Sequence, residues 1–198
     1  MTALREEFVL LSDVHLNEIL GETDPGWWEY KSAKSSQDAA LAAFLRAIDA
    51  RRPRSLHRSV VVFNGDTFDF DTCFGGPEGQ KLPPEGLPPT VEGSAFKMAT
   101  IARDHPEFIH GLAAFLALGN RVIFVMGNHD RELHFPEVQE ILVQAVARAA
   151  PTGCGGVVAA AISFEPWFVL VPGVLYAEHG NQYDATCSYG DVLDPSVP

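Results

Sequence analysis

Four short clusters of Asp, Asn and His hold the groups in this sequence that could do chemistry. They are Asp13-Val14-His15, Asn64-Gly65-Asp66, Gly127-Asn128-His129-Asp130 and His179-Gly180. Asp13 and His15 are two residues apart, so on an extended chain their side chains share a face and can reach one cation. Asp66 has two carboxylate oxygens and can bridge two cations. Asn128 supplies a neutral amide oxygen and His179 an imidazole. This mixed donor set suits Mn, Fe or Zn, and no thiolate site is indicated. Two such ions roughly 3.5–4 Å apart activate a hydroxide between them, and they neutralise the oxygens of a phosphate that the hydroxide attacks in line. His129 follows Asn128 and can give a proton to the departing oxygen. An imidazolium there needs a carboxylate partner, for which Asp69 and Asp130 are both candidates.

The clusters need elements that bring them together. Residues 8–11, 60–63 and 122–126 are short apolar runs that each end in one of the clusters, as buried strands do. Residues 168–171 and 174–177 read as two more strands joined by Pro172-Gly173, the second entering Glu178-His179-Gly180. Helical periodicity spans 37–50, with Ser35 or Ser36 as N-cap, and also 106–118 and 136–149. Residues 75–89 hold four Gly and five Pro, which excludes a core element. Strands with connecting helices predict an α/β sheet, and ligands bind outside the carboxyl ends of its strands.

Length and composition set the outer bounds. The chain has 198 residues, 46% of them apolar and 20% charged, which fits one globular domain and excludes wholesale disorder. A formal net charge of −12 argues against a basic groove for nucleic acid and against an anionic membrane surface. It leaves room for an anionic substrate, because bound metal inverts the local field. Cys73, Cys154 and Cys187 are odd in number and show no CxxC spacing, which points to reduced thiols in the cytoplasm. The N-terminus lacks signal-peptide form, and no apolar run reaches the length of a membrane span.

Taken in order, Ser12-Asp13-Val14-His15-Leu16, Gly65-Asp66-Thr67-Phe68-Asp69, Gly127-Asn128-His129-Asp130 and His179-Gly180 resemble the first four motifs of the calcineurin-like metallophosphoesterases. The resemblance runs from residue 8 to about 184. It implies an αββα sandwich with mixed sheets, incomplete at its C-terminal end. It also implies a dinuclear centre of two divalent metal ions, Mn first and Fe or Zn next. By this resemblance Asp13 and His15 hold one ion, Asp66 bridges, and Asn128 with His179 hold the other. His129 is similar to the family's catalytic histidine, and Asp69 to the carboxylate that orients it. Phe70 and Asp71 follow Asp69 where the Ser/Thr protein phosphatases carry Arg-Gly, which disfavours that subgroup. The phrases SDVHL and GDTFDF look more like the bacterial UDP-diacylglucosamine hydrolase-like branch. That branch has Arg in place of His129, so its substrate is not carried over. The family closes with Gly-His-x-His, one His per ion. The seven histidines here, at 15, 57, 105, 110, 129, 134 and 179, include no such pair. The chain is therefore read as a single domain, 1–198, truncated before that motif, with a loop-rich insertion at 70–104.

The function expected is that of a cytoplasmic, metal-dependent phosphoesterase. It would hydrolyse a small phosphate mono- or diester by attack of a metal-bridging hydroxide, with His129 assisting the leaving group. The alternative is a non-catalytic scaffold that keeps the fold and binds a protein partner, whose identity is not legible in the sequence. The missing His pair supports the scaffold, and six polar groups at four strand ends argue against it. A nuclease of the same fold is weakened by the acidic charge. Three features stay open. Trp27-Trp28-Glu29-Tyr30 is a substrate wall or local packing over the sheet. The 75–89 loop is a lid or a solvated insertion. Arg131 touches a phosphate or pairs with a surface carboxylate. His57, His105, His110 and His134 have no motif partner and read as surface or capping residues.

Overall fold

The computed structural model describes residues 5–24, 28–33, 36–53, 55–77 and 86–194. Ser35, Trp27 and the middle of the Gly/Pro run lie outside them. Strands β1 (Glu6–Leu11), β2 (Arg58–Asn64), β3 (Arg121–Val125) and β4 (Ile162–Glu165) form one parallel sheet in that order. The β-branched run Val60-Val61-Val62 is fully buried, as expected of an inner strand covered on both faces. The register puts Val61 beside Val122 and Phe63 beside Phe124, which in turn lies beside Phe164. This face carries the larger apolar core, in which Phe63, Phe68, Phe108 and Phe124 stack or meet edge to face. Each fully buried Phe side chain is worth roughly 1.5–3 kcal/mol.

Helices α1 (Asp38–Arg51), α2 (Val91–Asp104), α3 (Pro106–Ala117) and α4 (Pro136–Ala149) supply the other side of that core. Both α3 and α4 start with Pro in the first turn, where the missing N–H costs no bond. The N-cap of α1 is Gln37 rather than Ser36, which lies one residue further out and accepts from the Asp38 N–H at 3.3 Å. The short helix α5 (Gly155–Ala159) leads into β4.

The opposite face of the sheet, with Val60, Val62, Ile123 and Val125, packs against Val169, Val171 and Leu175. These come from an antiparallel hairpin of β5 (Phe168–Val171) and β6 (Leu175–Glu178). The arrangement fits the expected sandwich, with each sheet of a single kind: one wholly parallel, one antiparallel. The hairpin's outer side chains Leu170 and Tyr176 are exposed.

Two expectations need correction. The C-terminal part of the 70–104 segment is not loop but α2, capped by Thr90, whose hydroxyl accepts from the Gly93 N–H at 3.2 Å. The buried side of α2 includes Ser94, Lys97 and Thr100, which masks its apolar period. His105 is buried rather than a surface residue. Its Nδ1 lies 2.6 Å from Asp38 Oδ1 and its Nε2 lies 2.7 Å from the Asn17 carbonyl. It thereby ties the α2–α3 junction to the segment that follows β1.

Candidate metal centre

The carboxyl ends of β1, β2 and β3 lie on one edge of the parallel sheet and carry three of the four clusters. Past those ends the pairing of β1 and β2 continues into the loops. The N–H groups of Asp13, His15 and Leu16 donate to the carbonyls of Gly65, Asp66 and Thr67 at 3.2, 3.0 and 2.9 Å. Asp13, His15 and Asp66 adopt left-handed backbone, with φ of 56°, 53° and 53°. Non-glycine residues avoid that region, and three together mark a place where function holds strained backbone. The fourth cluster does not come from the parallel sheet. His179 follows β6, so the hairpin delivers it to the edge from the second sheet.

Two glycines let these loops close. A Cβ on Gly127 would sit 2.1 Å from Asp66 Oδ1, and a Cβ on Gly65 would sit 2.3 Å from the His179 ring. Gly65 also has φ of +86°.

Asp66 is the centre of the arrangement and is buried. Its Oδ1 accepts from the His129 N–H at 2.9 Å. Its Oδ2 lies 3.2 Å from His179 Nε2 and 3.8 Å from His15 Nε2. Burial pushes its carboxyl up, but the bonds from His179 and His129 outweigh burial and hold it below the ordinary value. His179 is raised to about 9, chiefly by its bond to Asp66, against the opposing effect of burial. Its Nδ1 faces the Asn64 carbonyl at 3.0 Å, which fixes that nitrogen as the donor and leaves Nε2 toward Asp66. Asn64 Nδ2 in turn donates to the Glu178 carbonyl at 2.9 Å, joining the ends of β2 and β6.

The donor atoms fall into two groups that share Asp66. His15, Asp66 and His129 form one, and Asp13, Asp66 and His179 the other, each with ligand atoms within 4.8 Å of one another. Imidazole and carboxylate donors at this spacing fit divalent transition ions. The grouping differs from the expected one, since Asp13 falls with His179 and His15 falls with His129. Asn128 is half-buried on the same loop as His129.

The His129 ring meets the His15 ring edge-on, centroids 4.9 Å apart. Its Nδ1 is buried with no hydrogen bond and lies 3.5 Å from Asp69 Oδ1 and 3.4 Å from Asp71 Oδ2. Asp130, the other carboxylate expected to partner His129, does something else. It is fully buried and accepts the N–H groups of Gly127 at 2.7 Å and Thr67 at 2.8 Å, with those of Asp66 and Phe68 at 3.3 and 3.4 Å. Burial raises it to about 6, still ionised at neutral pH. It binds the second and third clusters together through their backbones.

Sequence reasoning missed Asp71 and Tyr189 here. Asp71 stands two residues past Asp69, the same spacing as Asp13 and His15, and that was the available signal. Tyr189 donates its O–H to the Gly127 carbonyl at 2.8 Å, a contact no local pattern announces. The turn carrying Asp69 and Asp71 is held by a buried ion pair. Lys31 Nζ donates to Glu18 Oε1 at 3.1 Å and to the Thr72 carbonyl, and it lies 4.1 Å from the centroid of the Phe74 ring. Glu18 also accepts from the N–H groups of Phe74 and Gly75, at 2.7 and 2.8 Å. Such a pair is favourable only because every group finds a partner. Of the aromatic segment, Trp28 and Tyr30 are exposed rather than packed on the sheet, and Tyr30 lines a cavity of about 160 Å³ with His15 and His105. Arg131 makes no ion pair among the described residues.

A model of the calcineurin-like phosphoesterase family matches residues 7–194. The chain belongs to that family. Its members are hydrolases that use divalent metals on phosphate esters. Comparison with curated proteins and with solved structures finds no match. Among the described residues, no helix is long and apolar enough to cross a membrane.

Proposed function

We propose that this chain hydrolyses a small phosphate mono- or diester with two divalent ions, manganese first among them. The observation that carries the reading is the pair of three-donor groups meeting at Asp66. Asp66 would serve both ions through its two oxygens. His15 would serve one ion with His129 beside it, and Asp13 and His179 the other, with Asn128 adding an amide oxygen from the His129 loop. Bound divalent ions supply a water ionised near neutral pH and neutralise phosphate oxygens. Three protein donors per group leave positions open for water and substrate. His179, held through Nδ1 by Asn64, keeps its Nε2 oriented toward the site. His129 either completes its group or gives a proton to the leaving oxygen, and Asp69 and Asp71 support its charge in the second role. The three cysteines are free, which supports a reducing, cytoplasmic setting.

Metal content after Mn²⁺ loading, measured with hydrolysis of p-nitrophenyl phosphate and its bis ester on the same sample, tests the reading. Two ions per chain with turnover are expected, and Asp66→Asn should lose both ions together. His129→Ala should lower turnover by about 10²-fold or more while keeping most of the metal. Equal loss of metal would make His129 a ligand. Neither metal nor turnover would favour the scaffold.

A further inference from the structure

Beside His129 lies a cavity of about 390 Å³. Asp71 forms its border with the metal centre, since Asp71 Oδ2 is 3.4 Å from His129 Nδ1. Lys97, Arg131 and Glu132 line its polar side, and Leu87 and Pro88 its apolar side. The protein leaves the hydrogen-bonding capacity of these three polar groups largely unused. Lys97 is 4% exposed, yet its ammonium makes one bond, to the Phe70 carbonyl at 2.9 Å, leaving two of three donors. The half-buried Arg131 guanidinium makes no hydrogen bond and no ion pair among the described residues. Glu132 is 2% exposed and its Oε2 has no partner. A buried polar atom without a partner is costly, so Glu132 Oε2, beside the spare donors of Lys97 and the free fork of Arg131, points to a ligand that completes them.

The chemistry of that ligand follows from the donors. A guanidinium with its fork free and an ammonium with spare N–H groups recognise anionic oxygens. Glu132 does not oppose this, because burial raises it to about 7 and a nearby anion favours its protonated form, which donates. Asp71, half-exposed at the border, lies 3.4 Å from His129 Nδ1 and also lines the cavity, where its charge adds to the rise of Glu132 and so favours the protonated, donating form. We propose that this cavity is a phosphate subsite for the leaving-group portion of the substrate, so that the preferred esters carry a second phosphoryl group. This rests on the hydrolytic reading above, in which the alcohol departs past His129.

Two measurements separate the fate of this proposal from the fate of that reading. The first is calorimetric binding of inorganic phosphate to metal-free protein. Arg131→Gln removes the guanidinium, and Pro89→Glu puts a carboxylate on the exposed part of the cavity wall. Each should weaken phosphate binding by about tenfold or more. The second is kcat/KM of the Mn²⁺-loaded protein for bisphosphates of short straight-chain diols against the matching monophosphates. The wild type should prefer the bisphosphate by about tenfold, and Arg131→Gln should erase most of that preference. Phosphate binding that is absent, or equal in all three proteins, overturns the subsite whatever the turnover. Arg131-dependent phosphate binding without hydrolysis of any ester keeps the subsite and removes the hydrolytic reading. A bisphosphate preference unchanged in Arg131→Gln overturns the subsite alone.

Discussion

Glu132 shows how far the fold can move a single group. Burial raises its carboxyl from 4.5 to about 7, partly offset by the charges of Arg131 and Lys97. The folded protein therefore holds a proton that the unfolded chain releases between those values. Stability from this group is full below about pH 4.5, falls as the pH rises toward 7, and is level above; its span is about 3 kcal/mol. Glu132→Gln should accordingly melt higher than the wild type near pH 8 and show no such gain near pH 4.5. Thermal melts at both pH values check this, and parallel curves at the two would mean that the carboxyl is not perturbed. His179 makes the opposite kind of statement, since its bond to Asp66 holds a proton to about pH 9. Binding of Mn²⁺ near pH 7.5 should therefore release close to one proton, read from the dependence of calorimetric heat on buffer ionisation. At this scale the sequence was most legible where a buried strand broke into Asp, Asn or His. Asp130 was misread because its neighbours in sequence suggest a catalytic partner, whereas its neighbours in space are backbone N–H groups from another loop.

Among the elements, the loop after β3 is the one most sensitive to a single atom. A methyl group on Gly127 meets Asp66 Oδ1 at 2.1 Å, deep in the site but away from the apolar core. Gly127→Ala should therefore keep the far-ultraviolet circular dichroism of the wild type and bind Mn²⁺ at least about tenfold more weakly. Unchanged metal affinity would show that the loop relaxes without moving Asp66. The strands β1, β2 and β3 were readable because each is a short apolar run with a polar end. Helix α2 was not, because Ser94, Lys97 and Thr100 sit on its buried side, where Lys97 works for the Phe70 carbonyl rather than for solvent. Strand β4, Ile162-Ser163-Phe164-Glu165, was not, because Ser163 and Glu165 break the continuous apolar run that marked the other strands. The hairpin was found, but its place in a second sheet was not, because pairing partners distant in sequence leave no local mark.

For the whole molecule, the acidic balance weighs against a nucleic-acid substrate. A net charge of −12 disfavours a cationic surface of the kind that holds a nucleic-acid backbone. It should give no gel shift with duplex DNA at near-physiological salt, and binding tighter than about 1 μM would contradict the small-ester reading. Positive charge is instead gathered locally, at Lys97 and Arg131 beside the site. Family membership was legible because four motifs occur in order across most of the chain. How their side chains combine was not, since that depends on two sheets packing face to face.

That meeting also sets a timetable. His179 reaches Asp66 only after the hairpin has docked through Val169, Val171 and Leu175. A nascent chain emerging from the ribosome can therefore pair β1, β2 and β3 while its donor set still lacks a member. On the proposed function, the donor group of Asp13, Asp66 and His179 would be completed only once the hairpin is in place, after the strand ends that carry the other donors have been made.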